Sequence, residues 1–98
     1  MTKGWIGIEI IGTLITKEGK AIYPTIARIK NWQEKGIEVK LFTPDYISAV
    51  TAASLCKVLE DHYLTLEITD MIDGNMVELW SSSVVQTYPN TGIPVLTD

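Results

Sequence analysis

The sequence predicts an α/β domain with a mainly parallel central sheet, helices on both faces and a small β-hairpin after the first strand. Three observations predict it. Residues 5–11 read Trp-Ile-Gly-Ile-Glu-Ile-Ile, a nearly continuous β-branched run of the kind that forms a parallel strand buried on both faces. Two later stretches carry apolar residues at three- and four-residue steps, the period of an amphipathic helix. These helical stretches alternate with short strand-like runs. Strand, helix, strand, helix, strand at this spacing calls for right-handed crossovers and a parallel sheet.

The elements follow in order. Gly12-Thr13 ends the first strand. Leu14-Ile15-Thr16 and Ala21-Ile22-Tyr23 flank Lys17-Glu18-Gly19-Lys20, which reads as a hairpin turning at Gly19. Pro24 suits a first helical position. Ile22, Ile26, Ile29 and Trp32 then make one stripe, Lys30 and Lys35 sit toward the end, and Gly36 is the expected residue just past it. Residues 37–42 alternate apolar and polar, as in a strand with one face partly wet. Thr43 or Asp45 is the expected cap of a second helix over residues 46–63, with Ile47, Val50, Ala53 (or Ser54), Val58 and Leu59 as its buried stripe. Residues 64–69 read as a third strand, 70–75 as a polar loop, 76–80 and 84–88 as two more strands around Ser81-Ser82-Ser83, and Pro89-Asn90-Thr91-Gly92 as a turn.

Composition narrows the function classes. The chain has 98 residues, one domain's worth, with 46% hydrophobic and 20% charged residues, a globular rather than disordered balance. A net charge of −4 argues against a protein that tracks nucleic-acid phosphates. One Cys excludes an internal disulfide and a four-Cys zinc site, and one His excludes a two-His metal motif. No apolar run reaches the roughly 18–20 residues that span a bilayer, and the N-terminus lacks a small-residue cleavage site. The expectation is a soluble, cytoplasmic domain with no nucleic-acid or membrane partner and no identifiable protein partner beyond a weak homo-oligomer.

In a parallel sheet, ligands sit beyond the carboxyl ends of the strands. The residues to weigh are therefore those of 9–13, 43–45, 70–73 and 81–83. Here a resemblance enters. Ile8-Glu9-Ile10-Ile11-Gly12-Thr13-Leu14-Ile15 resembles the first motif of the haloacid dehalogenase-like (HAD) superfamily, an apolar strand followed by Asp-x-Asp-Gly-Thr-Leu. The hairpin, the Ile22-Tyr23-Pro24 helix start, the strand Lys35-Gly36-Ile37-Glu38-Val39-Lys40-Leu41 and its closing Thr43 are also similar. Asp73, Met76-Val77-Glu78-Leu79-Trp80, Val85-Gln86 and Pro89-Asn90-Thr91-Gly92 resemble the small, capless, phage-type phosphatases of that superfamily. The resemblance covers nearly the whole chain and implies a three-layer, Rossmann-like domain spanning residues 1–98.

The family transfers phosphoryl groups through an aspartyl-phosphate with Mg²⁺. On this resemblance the nucleophilic Asp falls on Glu9, one methylene too long for the in-line position. The acid/base Asp falls on Ile11, which can neither give nor take a proton. The Lys that offsets phosphate charge falls on Ile72. The Asp pair that holds Mg²⁺ falls on Ser81 and Ser82, poor ligands for a hard cation, and an Arg that often follows falls on Ser83. Thr43, a phosphate-binding hydroxyl in the family, and Gly12-Thr13 are retained, so residues 12, 13 and 43 are the candidate anion contacts. No catalytic residue, no metal ligand and no cofactor is expected to remain.

Simpler roles stand beside these. Glu9 is a carboxylate at a strand end, capped by loop amides or wet at a sheet edge. Thr43 suits a cap before Pro44. Ser81-Ser82-Ser83 reads as a polar turn, since the triad it evokes would need His62, late in the second helix. Cys56 is expected to be a buried structural thiol. Asp70 and Asp73 lack a third carboxylate for Ca²⁺, and Trp5, Trp32 and Trp80 are expected in packing. The functional expectation is a catalytically silent HAD-like domain, either a natural pseudoenzyme or a sequence redesigned on such a backbone. The alternatives are a weak Mg²⁺-dependent phosphatase, or a module that binds an anion or a protein at the former site.

Overall fold

The computed structural model describes residues 4–43, 47–71, 75–81 and 84–87. Strand β1 is Trp5–Glu9, helix α1 Tyr23–Glu34, β2 Glu38–Phe42, α2 Ala49–Asp61, β3 Glu67–Thr69, β4 Met76–Ser81 and β5 Val84–Thr87. The sheet order is β3-β2-β1-β4-β5. β1 lies at the centre, parallel to β2 and β4; β3 is parallel to β2, and β5 closes the sheet antiparallel to β4. The expected α/β domain with a mainly parallel sheet is therefore present, and β1, β2 and α1 fall close to where the pattern put them.

Among the described residues, α1 and α2 pack on one face of the sheet rather than on both. Ile26, Ile29 and Trp32 of α1 and Leu55 and Val58 of α2 join one cluster with Ile6, Ile8, Val39 and Leu41 of the sheet. Trp5, Phe42, Met76 and Leu79 form a second cluster, and no residue of either helix belongs to it. The reason is topological. Both crossovers, β1 to β2 and β2 to β3, step in the same direction across the sheet, so right-handed connections put both helices on one side. The return from β3 to β4 has only residues 70–75 available, fewer than the ten to twelve or so that a crossover containing a helix requires.

Gly7 sets the spacing of the second cluster. A Cβ there would lie 3.0 Å from Met76 Sδ, 3.1 Å from the Trp5 ring and 3.2 Å from Leu79 Cδ1. Its absence lets side chains from β1 and β4 close over the middle of the sheet. Lys40 lies on this face, its Nζ 4.8 Å from the centre of the Trp5 ring and 3.1 Å from Glu67 of β3. Its cross-strand partner in the register is that same Glu67, so one cation ties the edge strand to the centre.

The hairpin after β1 forms as the turn residues suggest. Gly19 has φ +85°, its amide donates to Thr16 O at 2.9 Å, and Ile15 pairs antiparallel with Ala21. Leu14 and Ile15 are fully buried beneath it.

Both helices end in the same device. In α1 the amide of Gly36 donates to Gln33 O and that of Ile37 to Trp32 O. In α2 the amide of Tyr63 donates to Glu60 O and that of Leu64 to Leu59 O. Each is a Schellman closure, whose first residue past the cap must be left-handed. Gly36 meets that demand at φ +78°; Tyr63 occupies the equivalent place at φ 57°, with its side chain 93% exposed.

The start of α2 departs from expectation. Its N-cap is Ser48, whose Oγ accepts from Thr51 N at 3.2 Å, rather than Thr43 or Asp45; Asp45 lies outside the described residues. The helix is correspondingly shorter than residues 46–63. Its buried positions are Leu55 and Val58, with Ile47 and Leu59 partly buried against the core, while Val50 is 78% exposed. Cys56, expected to be buried, is exposed on the opposite side.

One carboxylate is placed where apolar residues dominate. In the β1–β4 register Trp5 pairs with Met76 but Ile6 pairs with Glu78, so Val77 is an extra residue in β4. Such a bulge turns two successive side chains to one side. Val77 and Trp80 accordingly join the helix-facing cluster while Met76 and Leu79 join the other. Glu78, opposite Ile6, is wholly buried. Its Oε1 accepts from Trp80 Nε1 at 2.9 Å, and its Oε2 has no hydrogen-bond partner among the described residues. The Trp80 ring is itself held, edge-on against Trp32 at 5.3 Å and under the Arg28 guanidinium at 4.9 Å.

Two measurements test these points. Tyr63→Gly is expected to stabilise the chain by about 1 kcal/mol and Gly36→Ala to destabilise it by about as much, because only the first relieves a side chain of the left-handed region; chemical denaturation midpoints read both. Glu78→Met fills a similar volume with no polar atom to satisfy, so it is expected to cost less stability than Glu78→Ala, which leaves a cavity, by about 1–3 kcal/mol. Trp80→Phe strips the remaining partner from Glu78 and should destabilise by a similar amount.

Candidate functional site

The strand ends gather most of the described candidates. Glu9 closes β1, half-buried, opposite Phe42 in the register. Phe42 lies in turn opposite Thr69, and the amide of Thr43 donates to Thr69 O at 3.0 Å, carrying the β2–β3 pairing one residue further. Ser81 closes β4, half-buried, one residue beyond the Ile8–Trp80 pair. Glu9, Thr43, Thr69 and Ser81 therefore share the carboxyl edge of four neighbouring parallel strands. Ile72 and Ser82, with Asp73 and Ser83, lie outside the described residues.

The turn that follows β1 is tightly wound. The amides of Leu14 and Ile15 both donate to Ile10 O at 3.0 Å, and that of Gly12 donates to Ile15 O at 2.7 Å. Gly12 has φ +89°, which a β-carbon would strain. The winding sends successive side chains to different environments: Thr13 is buried, Leu14 and Ile15 enter the core, and Ile11 is left 48% exposed. The Gly12 amide is spent on Ile15 O, and both Thr13 and Thr43 engage partners within the protein. An anion at this edge would have to compete with those contacts.

The electrostatics of the edge are sparse. Among the described residues, Glu9 is the one carboxylate at the ends of β1, β2 and β4, and no cationic side chain ends these strands. The Mg²⁺ implied by the resemblance would need several hard oxygen donors, carboxylates first. Glu9 and the neutral Ser81 hydroxyl do not make such a set. Among the described residues, no group of three or more His, Cys, Asp or Glu side chains is placed to hold a metal ion. Described residues thus meet neither the charge nor the donor requirement of phosphoryl transfer, which rests on positioning and on cations around the transferred group.

The other candidates lie elsewhere. His62 caps the C-terminus of α2, half-buried, with its ring 5.6 Å from that of Tyr23. Trp5 packs in the second cluster, and Trp32 and Trp80 pack with the first. Glu78 is the residue that sequence reasoning passed over. It lies in the run Met76-Val77-Glu78-Leu79-Trp80, and apolar residues on both sides of it are the signal that could have marked it as buried. Among the described residues, no helix is long and apolar enough to cross a membrane. No protein-family model matches the chain, and no curated protein or solved structure matches it significantly.

Proposed function

We propose that the chain is a catalytically silent domain with a HAD-like layout, whether a natural pseudoenzyme or a redesigned sequence. The observation that carries the reading is the combination at the carboxyl edge: Glu9 ends the central strand, while an exposed Ile11 and a neutral Ser81 stand where the resemblance would place an acid/base and a metal ligand. A hairpin directly after β1, which the resemblance also implies, supports the layout. A carboxylate alone, without acid, cation or metal, leaves phosphoryl transfer short of several kcal/mol in each missing contribution. No cofactor belongs to this reading.

The half-exposed Ile11 favours a second reading, in which the same edge is a docking surface for a protein partner or a second copy in a weak homo-oligomer. An apolar side chain kept at the mouth of a sheet edge contributes nothing to the core and is available for contact.

The experiment is a thermal melt with and without Mg²⁺ plus beryllofluoride, paired with a phosphomonoester assay. A ligand that binds only the folded state raises the midpoint by mass action. The silent domain is expected to show no shift and no hydrolysis above background. Mg²⁺-dependent turnover that disappears in Glu9→Ala would overturn the proposal. Concentration-dependent self-association that Ile11→Asp abolishes would establish the docking reading instead.

A further inference from the structure

A concavity lies away from the strand ends. The hairpin tip, the first turn of α1 and one side of α2 enclose a half-open cleft of about 370 Å³. Gly19, Lys20 and Ala21 form one wall, Ser54, Lys57, Val58, Asp61 and His62 the other, and Tyr23 an end. None of Glu9, Ile11, Gly12, Thr13, Thr43 or Ser81 lines it.

We infer that this cleft is a binding site for a small organic oxyanion carrying a planar ring. Its volume is at the small end of the range for ligand pockets, enough for one ring and one charged group. Its lining holds two cations, Lys20 and Lys57, against one carboxylate, Asp61, an excess of positive charge in a chain whose net charge is −4. Lys57 and Asp61 stand 3.4 Å apart on an exposed surface, a pairing weak enough for a ligand anion to displace. Ser54 and Tyr23 add hydroxyl groups to the same lining, which with the two lysines suits a carboxylate or phosphate head.

The body of the ligand is chosen by the remaining walls. The Tyr23 and His62 rings meet edge to face, 5.6 Å between centres, and Tyr23 keeps 67% of its surface exposed. A largely exposed aromatic ring in a lining that also holds Val58 and Ala21 receives a planar ring better than a polar chain. The walls are also held in place. A Cβ on Gly19 would stand 2.4 Å from Ser54 Oγ, so the hairpin tip touches α2 directly and the cleft opens beside that contact.

The test is a titration of the isotope-labelled chain, followed by its backbone amide resonances, with phenyl phosphate, benzoate, inorganic phosphate and neutral benzamide. Saturable shifts centred on Gly19, Lys20, Ser54, Lys57 and His62 are expected from the ring-bearing anions. Tighter binding of phenyl phosphate assigns the site to phosphomonoesters, and tighter binding of benzoate assigns it to carboxylates. The double variant Lys20→Gln/Lys57→Gln should weaken binding by roughly tenfold or more, and Asp61→Asn should tighten it. The inference is overturned if neither ring-bearing anion gives saturable shifts below roughly 10 mM. It is equally overturned if benzamide or inorganic phosphate binds as tightly as they do, or if the double variant, its resonances still dispersed as in a folded chain, binds unchanged.

Discussion

The fold depends on β1 being satisfied on both edges and both faces at once. Five residues carry hydrogen bonds to β2 on one side and β4 on the other. Ile6 and Ile8 enter the helix-facing cluster, Trp5 enters the other, and Gly7 leaves room for Met76 and Leu79 to meet Trp5 across it. A strand so enclosed cannot carry polar groups along its length, and it carries one only at its end, Glu9. The carboxyl edge is the first place along β1 where chemistry could appear, because it is the first place where water can reach.

The bulge in β4 is the next decision in the hierarchy. By admitting Val77 as an extra residue it reconciles two clusters with one strand, and it places Glu78 in a wholly buried position. The Trp80 indole satisfies one carboxylate oxygen, and the same ring is clamped between Trp32 and Arg28. A buried carboxyl with an unpartnered oxygen is destabilising in isolation. It persists here within a packed arrangement that ties β4 to α1, so the sheet's second central strand and its first helix are joined by an aromatic and polar contact rather than by aliphatic packing alone.

The strand-end region and the cleft beside α2 differ in kind. The strand-end region is built from backbone: wound turns, amides already bonded, one carboxylate and an exposed isoleucine. The cleft beside α2 is lined by lysines, hydroxyl-bearing residues and aromatic rings from the hairpin and both helices. Catalysis of phosphoryl transfer needs charge concentrated where the group moves, and described residues do not concentrate it at the strand ends. Selective binding needs less, a few donors and a face to rest on, and the cleft supplies those.

Local pattern was enough for much of this architecture. The apolar run of β1, the hairpin at Gly19, the stripe Ile26, Ile29, Trp32 and the closing Gly36 each depend on neighbours within a few residues, so their residue types declare them. The α2 face was not declared in this way. Val50, Leu55, Val58 and Leu59 offer more than one apolar stripe, and only contact with the sheet selects Leu55 and Val58 and leaves Val50 in water. The side of the sheet taken by each helix, the bulge at Val77 and the face to which it turns Glu78 were likewise invisible, because each is set by pairing between strands far apart in the chain. At the carboxyl edge, the sequence by itself gives one carboxylate, one aliphatic side chain and one neutral hydroxyl at Glu9, Ile11 and Ser81. That they share one edge was already implied by the alternation of strands and helices; tertiary structure alone decided that Ile11 faces solvent and that residues of the hairpin and both helices line a common cleft. A sequence reports what each residue can do; the pairing of distant strands decides which residues do it together.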